Sequence, residues 1–237
     1  MGAVVGLVLV LLTSTDQPLA NEELLRAISL TRPRNYDAAL VVLDRLCPSP
    51  PGSPAKISGS YDLSCEMRTY VLAEKRGLTD DNGVSELYWL IGEVAYKRGQ
   101  FIVARALEEL ALERDPRDAA NWHSLGIIYR AMNKNEEAVS AFRRSLEIDP
   151  KEPNTMYWLA STLIDVGQLD EAERVLTNIL TIDPKHARVW FRRGEIQMIR
   201  HDYKAAIEAF TTARQQGVPR SEVSPKIKEC ERLASVQ

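Results

Sequence analysis

The sequence is poor in the residues from which active sites are usually built. It has three cysteines and three histidines in 237 residues. Cys47, Cys65 and Cys230 form no CxxC pair, which speaks against zinc-ribbon and thioredoxin-like arrangements. With so few histidines, His186 in a connection, His201 in a turn and His123 without a metal-ligating partner close in sequence, no metal site is expected. There is no glycine-rich phosphate loop, no GxSxG elbow and no HExxH. The reading is therefore of a non-enzyme, with no cofactor and no small-molecule substrate. Net charge is −3 with a pI near 5.8, so no overall basic field favours nucleic acid. Charge is uneven, however. Residues 185–237 are net +5 and the remainder net −8, which fits an ordinary solvated surface or a basic docking end.

Long apolar runs are also absent, with one short exception. Met1 to Leu12 carry no charge. A membrane-spanning helix needs roughly 20 apolar residues, and this run falls short. It matches the apolar core of an export signal, but no Lys or Arg precedes Arg26 and Thr13-Ser14-Thr15 is a poor cleavage site. The other readings are the end of a longer membrane span and a buried terminal segment. Gly6 stands where a myristoylation motif wants Ser or Thr. The expectation is a membrane-associated or exported protein, with a cytoplasmic location as the alternative. In an oxidising compartment, Cys47 and Cys65 would be candidates for a disulfide across the proline-rich stretch between them. Closing a loop of this length would stabilise by ~3 kcal/mol.

What the sequence has in abundance is periodicity. Gly92, Gly126, Ala160 and Gly194 are spaced by 34, as are Ala104, Ala138, Ala172 and Ala206. Pro116, Pro150 and Pro184 share that spacing, each preceded by Asp. A fixed period of this length is the mark of a stacked repeat in which each unit is one supersecondary element. The small residues let two helices of a unit approach closely, and each Asp-Pro stops the second helix. Gly99, Asn133, Gly167 and His201 fall in the turn between the two helices, where a left-handed residue is wanted; His201 is the least natural of them.

The stretch from Trp122 to Pro150, with Leu125, Gly126, Tyr129, Ala138 and Phe142, resembles the tetratricopeptide-repeat (TPR) family. The resemblance implies an all-α fold, a right-handed superhelical solenoid of helical hairpins. Four units are expected at 85–118, 119–152, 153–186 and 187–220, followed by a capping helix in 221–237 with Ile227, Cys230 and Leu233 on its apolar side. Before them, 1–19 is an apolar segment and linker, and 20–84 a degenerate helical region around a Pro-rich loop at 48–60. Within it, 20–47 reads as a helix pair and 61–77 as one more helix, with Leu63, Met67, Tyr70, Val71 and Ala73 apolar. Two positions depart from the pattern. Glu108 stands where Phe142, Leu176 and Phe210 stand in other units, its loss expected to be covered by Leu107 and Leu110. Arg193 replaces a leucine, its stem packing and its head reaching water. Trp122, Leu125, Gly126, Tyr129, Ala138 and Phe142 are expected in the core.

The resemblance also implies where a partner would sit, on the first helix (A) of each unit, facing the concave side. In this sequence those positions are Trp89, Glu93 and Tyr96, then His123, Ile127 and Arg130. The third unit contributes Tyr157, Ser161 and Ile164, and the fourth Phe191, Glu195 and Met198. Trp89, His123, Tyr157 and Phe191 are 34 apart, a ladder of rings suited to an extended or helical peptide, or to padding between neighbouring helices. Arg130, Arg192, Lys97 and Arg188 would add contacts to an acidic partner. Chaperone-tail binding is not implied, since Ile127 and Ser161 occupy places where that clamp has Asn. The function expected is a protein-binding scaffold. The alternatives are the soluble accessory region of a multi-pass membrane enzyme of the polysaccharide-assembly type, or a cytosolic assembly factor.

Overall fold

The computed structural model describes residues 17–31, 36–46, 67, 68, 71, 72, 75, 88, 89, 92, 93 and 95–235. The apolar run 1–12, the Pro-rich loop 48–60 and the Cys47–Cys65 pairing lie outside them. The continuous helices are α1 (Gln17–Thr31), α2 (Tyr36–Leu46), α3 (Phe101–Arg114), α4 (Ala119–Ala131), α5 (Asn135–Ile148), α6 (Pro153–Asp165), α7 (Leu169–Ile182), α8 (Ala187–Ile199), α9 (Tyr203–Gln215) and α10 (Arg220–Ala234). Residues 67, 68, 71, 72 and 75, and 88, 89, 92, 93 and 95–97, are also helical. The fold is all-α, a solenoid of TPR helical hairpins. Among the described residues no helix is long and apolar enough to cross a membrane.

Short-range backbone chemistry accounts for the helix ends. α3, α5 and α7 stop at Asp115, Asp149 and Asp183, each extended (φ −128, −120 and −129°) because the proline that follows disfavours helical geometry there. Each Asp carboxylate then accepts the backbone N–H two residues on, from Arg117, Lys151 and Lys185 at 3.0–3.3 Å, which shapes the turn into the next unit. Asp118 restarts the chain by accepting from Ala120 and Asn121, and Asp202 does so from Ala205. Between the helices of a unit, Gly99, Asn133, Gly167 and His201 all have positive φ, 58 to 80°. The residue after each returns its N–H to a carbonyl five back (Gln100 to Ala95, Lys134 to Tyr129, Gln168 to Leu163, Asp202 to Gln197), closing the helix end in a Schellman turn. His201 takes the left-handed conformation despite its side chain, and its Nδ1 lies 2.9 Å from the Tyr203 hydroxyl.

The chain divides into two compact units, Met1–Ile128 and Tyr129–Gln237, with the junction inside α4. In the first, α1 and α2 pair through Leu24, Ala27, Ile28, Ala39, Val42 and Leu43. α1 also packs on α3, and Arg114 donates to the Thr31 carbonyl. This cover explains why α3 is buried nearly all round, from Val103 to Leu112. In the second unit, α6 to α9 stack as hairpins and α10 closes the stack on α9. α10 begins at Arg220. Val223 is fully buried, so the turn preceding Pro225 is held by the core. Ile227 and Leu233 pack beside fully buried Cys230, where burial pushes the thiol pKa up and leaves it a small inert hydrophobe.

Helix contact within a hairpin is very close at Gly194. A β-carbon there would sit 2.7 Å from the ring of Phe210. The corresponding pair one repeat earlier is Ala160 and Leu176, both fully buried, where the smaller aliphatic leaves room for a methyl. Gly194→Ala should therefore destabilise the second unit by about 1–3 kcal/mol through overpacking, although alanine is the better helix former. Urea denaturation followed by circular dichroism would show an earlier loss of that unit.

Two expectations about the core are corrected. Trp122 and Tyr129 are only half-buried, whereas Leu125, Gly126, Ala138 and Phe142 are buried. Trp122 donates its indole N–H to the carbonyl of Pro116 at 3.0 Å, and Trp190 does the same to Pro184 at 3.0 Å. An indole that must satisfy its N–H at a loop carbonyl sits at the edge of the core, bracing the Asp-Pro turn. Arg193 does not simply reach water either. Its guanidinium lies over the Trp190 ring at 5.1 Å and pairs with Glu173 at 2.8 Å.

Candidate functional site

The A-helix positions of the first unit converge on one cleft. Trp89, Glu93, Tyr96, His123 and Ile127, all expected to face a partner, line it together with Lys97, Ser124, Ile128 and Glu108. It is open to solvent and offers a cavity of about 220 Å³. The Trp89 indole N–H donates to the Ser124 hydroxyl at 3.0 Å, which fixes the ring on one wall. Tyr96 packs on Phe101 with centroids 5.6 Å apart. Glu93 and Lys97, one turn apart and at the exposed rim, form an ion pair at 2.7 Å, a contact worth little to stability in water.

Glu108, a departure from the repeat pattern in the sequence, is a cleft residue that the repeat phase does not assign. It was expected to be compensated by Leu107 and Leu110, and both are buried. But the carboxyl is not pushed out to solvent. Glu108 is 1% exposed and forms part of the cleft floor. Its Oε2 has no hydrogen-bond partner among the described residues. Its Oε1 lies 3.2 Å from where a β-carbon on Gly92 would be, so the glycine makes room for the carboxyl. Burial, and then the neighbouring charges of Asp118 and Glu93, push its pKa up to about 9. It is therefore a neutral acid at pH 7. The signal available in the sequence was the mismatch itself, a carboxylate at a place where Phe142, Leu176 and Phe210 mark core.

A second cleft, open to solvent and of about 280 Å³, lies in the second unit. Ile164, Glu195 and Met198, three of the expected contact positions, line it with Asp165, Arg192, Ile199 and Lys226. Arg192 bridges the site, donating to the Tyr157 hydroxyl at 3.3 Å and to Glu195 at 2.7 Å. Lys226 from the capping helix reaches Glu195 at 3.7 Å, a contribution that repeat phase could not foresee.

The remaining positions behave differently. Ser161 is 1% exposed, so its hydroxyl is not offered to a partner. Phe191 is half-buried, edge-on to Phe210 at 5.3 Å, and belongs to the hydrophobic cluster under α10. Tyr157 is half-buried between Arg192 and the His186 ring, stacked 6.0 Å away. His186 itself caps α8, accepting from the Val189 N–H. The cations expected to await an acidic partner are already paired within the chain. Arg130 contacts Asp165 at 2.7 Å and lies over Trp158 at 4.9 Å, Arg188 pairs with Glu222, Arg192 with Glu195, and Lys97 with Glu93. Helical neighbours one turn or one repeat away supply the counter-charges, which phase alone does not reveal.

Comparison with known proteins agrees with this architecture. Residues 106–222 match the cytochrome c-type biogenesis protein H TPR domain. The chain is 25% identical over 122 residues to the peroxisomal targeting signal receptor of Saccharomyces cerevisiae, covering 52% of this chain and 20% of that protein. It is 30% identical over 115 residues to the PEX5-related protein of Homo sapiens, covering 48% and 18%. The chain thus spans about a fifth of the length of these curated relatives. Among solved structures, the MamA protein superposes with a TM-score of 0.59 at 17% identity, covering 64% of this chain and 82% of that one. YrrB, described as a TPR protein with an unusual peptide-binding site, gives 0.58 at 17% identity, covering 86% and 88%. At such identities the structural likeness speaks for the fold alone. The 34-residue phase, the repeated Schellman and Asp-Pro turns, and these matches lead to one conclusion: the chain is a tetratricopeptide-repeat protein.

Proposed function

We propose that this protein is a scaffold that holds a partner protein by a peptide or helix laid along the A-helix faces. The observation that carries this reading is the first cleft, where five residues chosen for their place in the repeat line one solvent-open depression with two large rings, Trp89 and Tyr96. Rings of this kind offer wide contact area at little entropic cost. The peptide-binding site described for YrrB, a structural relative, is in keeping with it. Tyr157 contributes in the second unit through its half-exposed face. The setting is membrane-associated or exported, for which the uncharged run Met1–Leu12 is the support.

Affinity capture from the native source, with crosslinking, tests the groove. Trp89→Ala and Tyr157→Ala should each reduce recovery of the captured partner about ten-fold, as expected for a ring worth roughly 1.5–2 kcal/mol at an interface. Recovery unchanged in both variants would overturn the groove reading. Membrane fractionation leaving the protein wholly in the cytosolic fraction would overturn the setting.

A further inference from the structure

The first cleft carries a specific chemistry as well as a shape. Its walls are the Trp89 and Tyr96 rings and the aliphatic Ile127 and Ile128; its floor holds a carboxyl 1% exposed with one oxygen unpartnered. A buried, unsatisfied polar group in a native fold is costly and calls for an explanation. The other hairpins show that the fold does not require it, since the same place carries Phe142, Leu176 or Phe210, each fully buried. Among the described residues the ionisable groups around Glu108 are Glu93, Tyr96 and Lys97 from the first A helix, His123 from α4, and Asp118 at the α4 N-terminus. Lys97 is engaged with Glu93 at the rim, 69% exposed, and so does not neutralise the floor.

We infer that this cleft receives a basic side chain, lysine or arginine, of the bound protein, with Glu108 as its counter-charge and Trp89 and Tyr96 flanking its aliphatic stem. The inference rests on the groove reading for its occupant and adds the chemistry of one subsite. Glu93 lines the cleft and Asp118 lies near enough to act on Glu108 through space; the negative charge of both disfavours a second carboxylate there and favours an entering cation. A cation within hydrogen-bond reach makes the charged form of a buried carboxyl the favoured one. Entry of the cation therefore expels the Glu108 proton to solvent, leaving a desolvated ion pair beneath two rings. An anionic or purely apolar ligand gains nothing from this floor. A carboxylate would be repelled by Glu93 and Asp118, and a methyl would leave Oε2 unsatisfied.

The test uses the full chain and simple probes. n-Butylammonium and n-butylguanidinium chlorides are titrated at pH 7.5, with 1-butanol as the neutral analogue. The Trp89 indole N–H is followed by NMR, and calorimetry in two buffers of different ionisation enthalpy counts protons. The expected result is saturable displacement of that resonance by at least one cation, with close to one proton released per cation bound, and no saturation with 1-butanol. Glu108→Gln keeps the shape and removes the charge; it should weaken binding roughly ten-fold or more and abolish proton release. Glu93→Gln should weaken binding less and retain the release. Saturation by 1-butanol equal to that by the cations, binding without proton release, or Glu108→Gln binding unchanged would each overturn the inference, as would absence of saturation with either cation. Because the probes need no partner, their failure is distinguishable from failure of the groove, which is read only by capture with Trp89→Ala and Tyr157→Ala.

Discussion

Replacing Glu108 by leucine should make the protein more stable at neutral pH. The ordinary value for this carboxyl is 4.5 and the folded value about 9. Folding at pH 7 therefore binds a proton that the unfolded chain has released. A pKa raised by folding gives stability that is fully present below about pH 4.5 and is lost as pH rises towards 9. The slope across that window is about −1.4 kcal/mol per pH unit. At pH 7 the accumulated cost is on the order of 3 kcal/mol. Leucine, the residue that Leu176 represents in another unit, carries no such cost and fills the same space beside Gly92. Urea melts of wild type and Glu108→Leu from pH 5 to 9 would read it directly. The wild-type midpoint of the first unit should fall with rising pH and that of the variant should not. Parallel pH profiles would show that the carboxyl is ionised or hydrated in the folded state. A residue that weakens its own fold and is replaceable by a better one is commonly held in place by function. The same variant should lose the cation response described above.

Phe210→Ala should be among the most damaging single substitutions in the second unit. The ring is fully buried, touches the position of Gly194, and meets Phe191 edge-on in the cluster that α10 seals. Removing a buried ring costs both its transfer from water and the cavity left behind, roughly 3–5 kcal/mol. Helix α10 and the second unit's far hairpin should lose hydrogen-exchange protection together. Exchange is the right measurement because a chain of two compact units need not unfold in one step. Trp122→Ala, although it removes a larger side chain, should cost less, about 1–2 kcal/mol, because that indole is only partly buried and its N–H only braces the Pro116 carbonyl. Equal losses in the two variants would mean that Trp122 is a core residue after all.

The repeat was legible because it is written in short-range chemistry. Asp-Pro ends a helix whatever lies around it, and glycine or asparagine admits the left-handed turn without help. The helices Phe101–Arg114, Asn135–Ile148 and Leu169–Ile182 each end at an Asp-Pro for that reason. Five of the groove positions meet in one cleft because i, i+4 and i+7 share a helix face and repeats translate that face. The phase failed where a side chain's fate is decided by another helix. Ser161 occupies a groove position in register but is covered. Arg130, Arg188 and Arg192, free cations in sequence, find carboxylates 3 to 35 residues away.

By itself, then, the sequence determined the class of fold, the period, the helix ends and the turn residues, all of which depend on backbone preferences within a few residues. Tertiary structure alone decided which charges are spent inside the protein, that Trp122 and Trp190 brace loops rather than fill the core, and that Glu108 is a neutral acid on a cleft floor. Those properties depend on desolvation and on neighbours brought in by packing: α1 covering α3, α10 covering α9. No local preference encodes how much water a carboxyl loses when distant helices close over it.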